Sequence, residues 1–140
     1  MNGFLLDTNV ISELIKTEPD RKVVRWIEET QEAILFLSVL TLGEIRSGIE
    51  RLNPGRRRGR LESWLAVDLR LRFQDRILPI NDAIAERWGA LSATAIRRGR
   101  PLPVIDGLLA ATALHHDLIL VTRNDTDVSG TGIPTLNPWQ

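Results

Sequence analysis

The sequence predicts an α/β fold, in which a central, mostly parallel sheet of four to five strands lies between helices in three layers. Short apolar runs of strand length alternate along the chain with longer stretches of helical periodicity. This alternation requires crossover connections, which place strands in parallel and helices on both faces of the sheet. The 140 residues are enough for one domain with a buried core. We therefore predict a single domain over residues 1–140.

The first third of the chain predicts two strands. Gly3–Leu6 is an apolar run, and Thr8–Lys16 follows it as a short helix whose apolar residues share one face. Val23–Glu32 has the pattern of an amphipathic helix. Ala33–Leu37 is a second apolar run, and Ser38–Leu52 has helical spacing directly after it. Each predicted strand is thus followed at once by a helix.

The middle of the chain begins with the most linker-like segment. Asn53–Arg60 holds proline and glycine among arginines and predicts a loop that is too short to separate two domains. Leu61–Phe73 predicts a helix and Ile77–Ile80 a short strand. Asn81 or Asp82 is suited to cap the helix that follows.

The last third completes the alternating pattern. Asp106–His116 predicts a strongly apolar helix, Leu118–Thr122 a clean strand and Thr135–Leu136 a final short strand. In open parallel sheets, ligands bind beyond the carboxyl ends of the strands. Functional residues are therefore expected at those ends.

The composition excludes several classes of protein. The chain has no cysteine, which excludes a disulfide framework, a thiolate zinc site and a thiol nucleophile. Its 18 Lys and Arg balance 18 Asp and Glu, so it has no generally basic surface for nucleic acid, although a local one is compatible with neutrality. The sequence shows neither a signal-peptide pattern nor an apolar run of about 18 residues that could span a membrane. We expect a soluble, cytoplasmic protein.

Acidic and amide side chains fall at or after the predicted strand ends. They are Asp7, Glu44, Asp106, Asn124, Asp125 and Asp127. Oxygen ligands without cysteine favour a hard cation, Mg²⁺ with Mn²⁺ as the alternative, over zinc. Such a cation relieves the repulsion between neighbouring carboxylates. It also suits phosphodiester hydrolysis, because metal ions activate water and hold the scissile phosphate.

Each acid also has a structural interpretation. Asp7 and Asp106 are suited to cap the helices that begin near them. Thr41 and Glu44 have the spacing of a capping box, although the helical pattern starts earlier, near Ser38. The acids near residue 125 are also ordinary turn residues. No acid is specific alone, and only their joint placement favours a site.

Four blocks of sequence carry a more specific signal. They are Leu5–Ser12, Leu37–Ser38 with Thr41–Ile49, Asp106–Ala113, and Leu120–Asn124. In this order they resemble the motifs of PIN-domain ribonucleases, in particular the VapC-type toxins of bacterial toxin-antitoxin pairs. The tail Leu136–Trp139 is similar to the ending of the FitB-like subgroup. The resemblance implies a PIN-like three-layer fold over nearly the whole chain.

The resemblance also implies roles for individual residues. Asp7, Glu44 and Asp106 match the acids of a magnesium-dependent nuclease centre, and we expect Asp7 and Asp106 to hold the metal. We predict Asp127 as the fourth catalytic acid, with Asn124 in support and Asp125 as its rival. Two further residues match polar positions that support the acids, Thr8 and Thr122.

An arginine-rich segment follows Glu44. Residues 46–60 contain six arginines and one acid. Arginine makes bidentate contacts with phosphate and stacks on unpaired bases. We predict four RNA-binding residues here, Arg46, Arg56, Arg57 and Arg58. The alternative is a solvated loop and helix face.

These observations favour a magnesium-dependent endoribonuclease that acts as the toxin of a type II toxin-antitoxin system. The resemblance implies a cognate antitoxin, an RNA substrate, a homodimer, and operator DNA that is bound only through the antitoxin. The alternative is a regulatory binding module that works with an antitoxin on DNA and has weak or no nuclease activity in the cell. The sequence does not identify the RNA target.

Overall fold

A five-stranded, fully parallel sheet forms the centre of the molecule in a computed structural model, which describes all 140 residues. The strands are β1 (Phe4–Leu6), β2 (Leu35–Ser38), β3 (Ile77–Leu78), β4 (Ile119–Val121) and β5 (Thr135–Leu136). Their order across the sheet is β3-β2-β1-β4-β5. Every neighbouring pair is parallel. The structure thus confirms the predicted α/β class.

Seven helices connect the strands. They are α1 (Thr8–Leu14), α2 (Arg21–Glu29), α3 (Val39–Glu50), α4 (Arg56–Ser63), α5 (Leu69–Arg72), α6 (Asp82–Arg97) and α7 (Val104–His116). One π-helical turn, Trp64–Asp68, joins α4 to α5. Two 3₁₀ segments, Glu32–Ile34 and Asp125–Thr131, precede β2 and β5. None of the helices has the length and apolar character that a membrane span requires.

The sheet buries a hydrophobic cluster on each face. Leu5 and Leu120 belong to the cluster that includes residues of α7. Their neighbours Leu6 and Val121 belong to the other cluster, with residues of α1, α2, α3 and α5. Successive side chains of a strand point to opposite faces, and here both faces are covered by helices. This explains why the strand sequences are apolar throughout.

Several predicted boundaries differ by a few residues, and side-chain contacts explain two of these differences. The second helix ends at Glu29, because Thr30 has extended backbone. The hydroxyl of Thr30 donates to the Trp26 carbonyl at the end of the helix. The loop predicted over Asn53–Arg60 is shorter, since α4 begins at Arg56. Arg58 donates to the carbonyl of Leu52, which ties the new helix back to the preceding turn. Helical periodicity in the sequence shows neither contact.

Parallel pairing brings the ends of β1 and β4 together. Leu6 lies beside Val121 in the register, so the residues that follow, Asp7 and Thr122, are neighbours at the same edge. The amide of Asp7 donates to the carbonyl of Val121 at 2.9 Å. Ser38 ends β2 and caps α3 through a hydrogen bond from the Leu40 amide. Three chain segments therefore reach this edge with polar side chains.

Gly3 allows the chain that enters β1 to pass close to the backbone of Ile34. Its φ is +149°, and a Cβ atom there would lie 2.5 Å from the carbonyl oxygen of Ile34. We predict that Gly3→Ala lowers the free energy of unfolding by about 2 kcal/mol or more, because the backbone must shift and strain is added. Chemical denaturation measures the change.

Gly89 is the matched control, since a Cβ atom in the middle of α6 meets nothing within 4 Å. Gly89→Ala should raise the free energy of unfolding by up to about 1 kcal/mol through helix propensity. Equal stability of the two variants would contradict this account of Gly3.

Glu13 is a buried acid that fastens the connection between α1 and α2. Its side chain is 7 % exposed. One carboxylate oxygen accepts from Lys16 and the other from the Asp20 amide, each at 2.9 Å. These hydrogen bonds, first that of Lys16 and then that of the amide, lower the pKa of Glu13. The ionised carboxylate therefore stabilises the fold.

A lowered pKa gives Glu13 a defined effect on stability. Its contribution is present above the pKa of the unfolded chain and is lost as the pH falls through the pKa of the folded state. Glu13→Gln should cost about 1 kcal/mol at neutral pH. The difference from the wild type should shrink in acid. A difference that is independent of pH in thermal unfolding would show that the charge contributes nothing.

Candidate active site

Asp7 is held by two hydrogen bonds at the carboxyl end of β1. The Thr8 amide donates to its Oδ1 and the Thr122 hydroxyl donates to its Oδ2, both at 2.7 Å. Asp7 is also the N-cap residue of α1, and only 8 % of it is exposed. The capping role and the position at the strand end thus occur together, and they fix the orientation of the carboxylate.

Thr122 connects the two central strands of the site. Besides donating to Asp7, its oxygen accepts from the Asn124 amide at 3.1 Å and from the Asn9 side chain at 3.4 Å. It is almost fully buried. Asn9 was not predicted as a site residue. Its place directly after Asp7 and Thr8 was the only available signal.

Glu44 reaches the same edge from α3. The hydroxyl of Thr8 donates to its carboxylate and lies 3.2 Å from the hydroxyl of Thr41. Because Ser38 caps α3, Thr41 lies within the first turn, and the capping-box interpretation of Thr41 and Glu44 is wrong. Thr41 is instead a buried neighbour of Thr8, a role that the sequence analysis missed.

Asp106 is the third residue of α7. Pro103 precedes this helix without a side-chain cap, so the capping interpretation of Asp106 is wrong. Its pKa is raised, first by partial burial and then by the charges of Asp7, Asp127 and Glu44. Acids from three other segments of the chain thus contribute to the electrostatics of Asp106.

Burial also dominates the electrostatics of Asp7. It raises the pKa of the carboxyl, and the charge of Glu44 raises it further, while the hydrogen bonds from Thr122 and Thr8 lower it. The net direction is upward. The fold thus holds a carboxylate where its ionised form is disfavoured unless a cation lies beside it.

Three residues after β4 were candidates for the fourth position. Asp127 is exposed in the 3₁₀ segment, and its charge acts on Asp106. Asp125 is half-buried and accepts from the Asn137 side chain at 3.4 Å. Asn124 is exposed and contacts Thr122 through its backbone. The electrostatics of the site thus favour Asp127.

The donors of the site are carboxylate and hydroxyl oxygens. No three acidic or histidine side chains come close enough together to hold one metal ion directly. This donor set fits Mg²⁺, which commonly binds one or two carboxylates and keeps several of its water molecules. It does not fit zinc in a structural site, which takes four nitrogen or sulfur ligands.

The predicted RNA-binding arginines occupy different environments. A cleft of about 440 Å³ extends from Thr8 and Glu44, and Arg57 lies in its wall. Arg46 and Arg58 are ion-paired with acids of α3 and α4, namely Glu50 and Glu62. Arg56 is exposed at the start of α4. Of the four, Arg57 is the one that shares a cleft with an acid of the site.

Two further residues, which were not predicted to bind RNA, also line this cleft. They are Arg51 and Trp64. Arg51 lies at the end of α3, and Trp64 packs partly against the core. The cleft thus combines cations with an aromatic wall beside Glu44.

The parallel sheet between helices has the architecture of a PIN domain, and the chain belongs to the PIN-domain family, which it matches over residues 4–133. It is 35% identical to VapC ribonuclease Y4jK of Sinorhizobium fredii over 136 residues, 97% of each chain. It is 33% identical to toxin FitB of Neisseria gonorrhoeae, covering 96% of this chain and 97% of FitB. The solved structure of FitAB bound to the IR36 DNA fragment matches with a TM-score of 0.93 and 31% identity, over 98% of this chain and 96% of that one.

The charge of Asp106 should destabilise the fold when no divalent cation is present. A raised pKa means that folding disfavours the ionised carboxylate. Asp106→Asn keeps the size of the side chain and deletes the charge, so we expect the midpoint of thermal unfolding to rise by a few degrees at neutral pH in EDTA.

Asp68→Asn provides the comparison, because Asp68 is exposed, forms no ion pair and is not among the charges that raise the pKa of Asp106. Its effect should stay within about 0.5 kcal/mol. A lower midpoint for Asp106→Asn than for the wild type would show that this charge is not a strain on the fold.

Proposed function

We propose that this protein is a magnesium-dependent endoribonuclease that acts as the toxin of a type II toxin-antitoxin system. The observation that carries the proposal is the pair of contacts made by Thr8, whose amide donates to Asp7 and whose hydroxyl donates to Glu44. The charges of Asp7, Asp127 and Glu44 also contribute to the raised pKa of Asp106, which supports placing Asp106 and Asp127 in the same site. The relative named a VapC ribonuclease, 35% identical over 97% of this chain, supports ribonuclease activity, and the relative named toxin FitB supports a toxin role.

Asp7 and Asp106 would hold the magnesium ion. When bound, Mg²⁺ supplies the positive charge that stabilises the scissile phosphate and makes water a better nucleophile. Asp7 is suited to this role because the Thr8 amide and the Thr122 hydroxyl fix its carboxylate while leaving further lone pairs free. The hydrogen bonds are in place before substrate binds, so little reorganisation is required.

Glu44 and Asp127 would act on water. The Thr8 hydroxyl holds one oxygen of Glu44, and the second oxygen is then free to orient a water molecule. Asp127 is exposed in the 3₁₀ segment that follows β4, and its charge is among the causes of the raised pKa of Asp106. One of these carboxylates accepts the proton of the attacking water. No side-chain nucleophile is needed.

Asp7→Asn and Asp106→Asn should each reduce magnesium-dependent cleavage of RNA by about 100-fold or more, because each deletes a charge that would hold the metal. Cleavage of a labelled RNA by purified protein measures the effect. EDTA should abolish wild-type cleavage, and Mn²⁺ should restore it. Asp68→Asn should cleave like the wild type.

A folded Asp7→Asn or Asp106→Asn variant with undiminished magnesium-dependent cleavage would overturn the proposal. Thermal unfolding provides a measurement that does not depend on activity. Mg²⁺ should raise the midpoint of the wild type more than that of Asp106→Asn, since ligand binding stabilises the folded state.

The partners follow from the same proposal. An antitoxin with an arginine that reaches the acids would satisfy them when no substrate is bound, because a guanidinium pairs with carboxylates in a bidentate manner. Arg46, Arg56, Arg57 and Arg58 would contact RNA, with Arg57 best placed beside Glu44. We also propose a homodimer, action in the cytoplasm, and contact with operator DNA only through the antitoxin. The zero formal charge of the chain favours that indirect contact.

A regulatory module that binds DNA together with an antitoxin is the second candidate. It is favoured by the likeness to FitAB bound to DNA. Expression without antitoxin distinguishes the two. Growth arrest that Asp7→Asn abolishes supports the ribonuclease, whereas an absence of arrest and of cleaved RNA ends supports the regulatory module.

A further inference from the structure

A second cleft, of about 420 Å³, opens beside Asp127 and is called the α6 groove here. One wall is formed by α6 and the turn after it, and the other by the 3₁₀ segment Asp125–Thr131. Its charged residues are Arg87, Arg98, Arg100 and Asp127. The groove therefore carries three cations and one anion, and that anion is an acid of the active site.

The arginines of the α6 groove have no acidic partner. Arg87, Arg98 and Arg100 form no ion pair, and the contact of Arg98 with the Gly130 carbonyl is long, at 3.4 Å. By contrast, Arg46 and Arg58 share two glutamates. An unpaired guanidinium keeps all its donors for a ligand, whereas a paired one must first break its contacts. The α6 groove is thus the better prepared anion site.

The remaining lining suits a nucleotide. Thr94 and Thr126 bring hydroxyl groups to the lining, whereas the hydroxyls of Ser129 and Thr131 donate to the carbonyls of Thr126 and Val128. Leu91, Leu102 and Leu114 provide an apolar surface between them. Hydroxyls and arginines are common donors to phosphate oxygens, and an apolar surface accepts a base or sugar. The groove thus has surfaces for both parts of a nucleic-acid strand.

We infer that the α6 groove binds the phosphates of the RNA strand that flank the scissile bond on the Asp127 side. The inference rests on the proposed ribonuclease function and names where its substrate continues. Glu44 lines one cleft and Asp127 lines the other, so each cleft contains one of the predicted acids. A strand that occupies both clefts would meet an acid and arginines in each.

This arrangement answers an electrostatic difficulty. Phosphates are repelled by the carboxylates, and cations on only one side would hold a strand without drawing it across them. Arg57 and Arg51 lie on the Glu44 side, and the three arginines of the α6 groove lie on the Asp127 side. A nucleic-acid strand carries a phosphate at every nucleotide, so it can contact cations in both clefts. The groove arginines are therefore positioning residues for the substrate.

The test uses Arg87→Gln, Arg98→Gln and Arg100→Gln, made singly and as a triple variant. The control variant is Arg97→Gln. Arg97 belongs to the same helix and is exposed, but it does not line the groove. Fluorescence anisotropy in EDTA measures binding of a labelled single-stranded RNA of about a dozen nucleotides. Each protein is titrated at salt concentrations from about 50 to 200 mM.

The triple variant should bind RNA about ten-fold more weakly or worse, and its salt slope should fall by about 2, since each lost phosphate contact on a single strand removes about 0.7. Arg97→Gln should match the wild type in both. With Mg²⁺, the triple variant should raise KM for RNA cleavage and leave kcat nearly unchanged, because the acids are intact.

Two results would overturn the inference while the proposed function stands. One is a triple variant that binds RNA with the affinity and salt slope of the wild type and also cleaves it equally well. That result is expected if the groove receives an antitoxin segment and not RNA. The other is an equal loss in Arg97→Gln, which would show a general charge effect. If the wild type cleaves no RNA with Mg²⁺, the proposed function fails and the inference fails with it.

Discussion

The contact between the ends of β1 and β4 determines where the acidic site forms. The Asp7 amide donates to the Val121 carbonyl, and the Thr122 hydroxyl donates to the Asp7 carboxylate. Asp7 and Thr122 are separated by 115 positions in the chain, so only sheet pairing brings them together. A slip of one residue in this register would turn Asp7 toward the wrong face. The other acids gain their significance from this fixed carboxylate.

Around Asp7 the fold combines opposing effects. Burial and the charge of Glu44 disfavour ionisation, whereas hydrogen bonds from Thr8 and Thr122 favour it. Burial and neighbouring charges also raise the pKa of Asp106, but no hydrogen bond opposes them there. Sites that concentrate like charge in this way reduce stability in return for affinity toward a cation. The hydrophobic clusters on both sides of the sheet supply the stability that this arrangement requires.

Local patterns predicted much of the fold, and tertiary contacts explain what they missed. Apolar runs located all five strands, and Asn81 caps α6 as predicted. The end of α2 and the start of α4 were missed because side-chain bonds to Trp26 and Leu52 carbonyls determine them. Within the site, the strand ends indicated Asp7. Thr41 and Asn9 were missed because their value depends on the neighbours that folding supplies.

Charge shows most clearly why counting residues was insufficient. The density of arginine in residues 46–60 directed attention to α3 and α4, yet Glu50 and Glu62 neutralise part of that density. Arg87, Arg98 and Arg100 also lie close together in the sequence, but they line one groove and form no ion pair. A phosphate responds to unpaired cations within about 10 Å, not to the number of arginines in a segment. The pairing of each arginine in the folded chain therefore determines where the protein can hold a polyanion beside its acids.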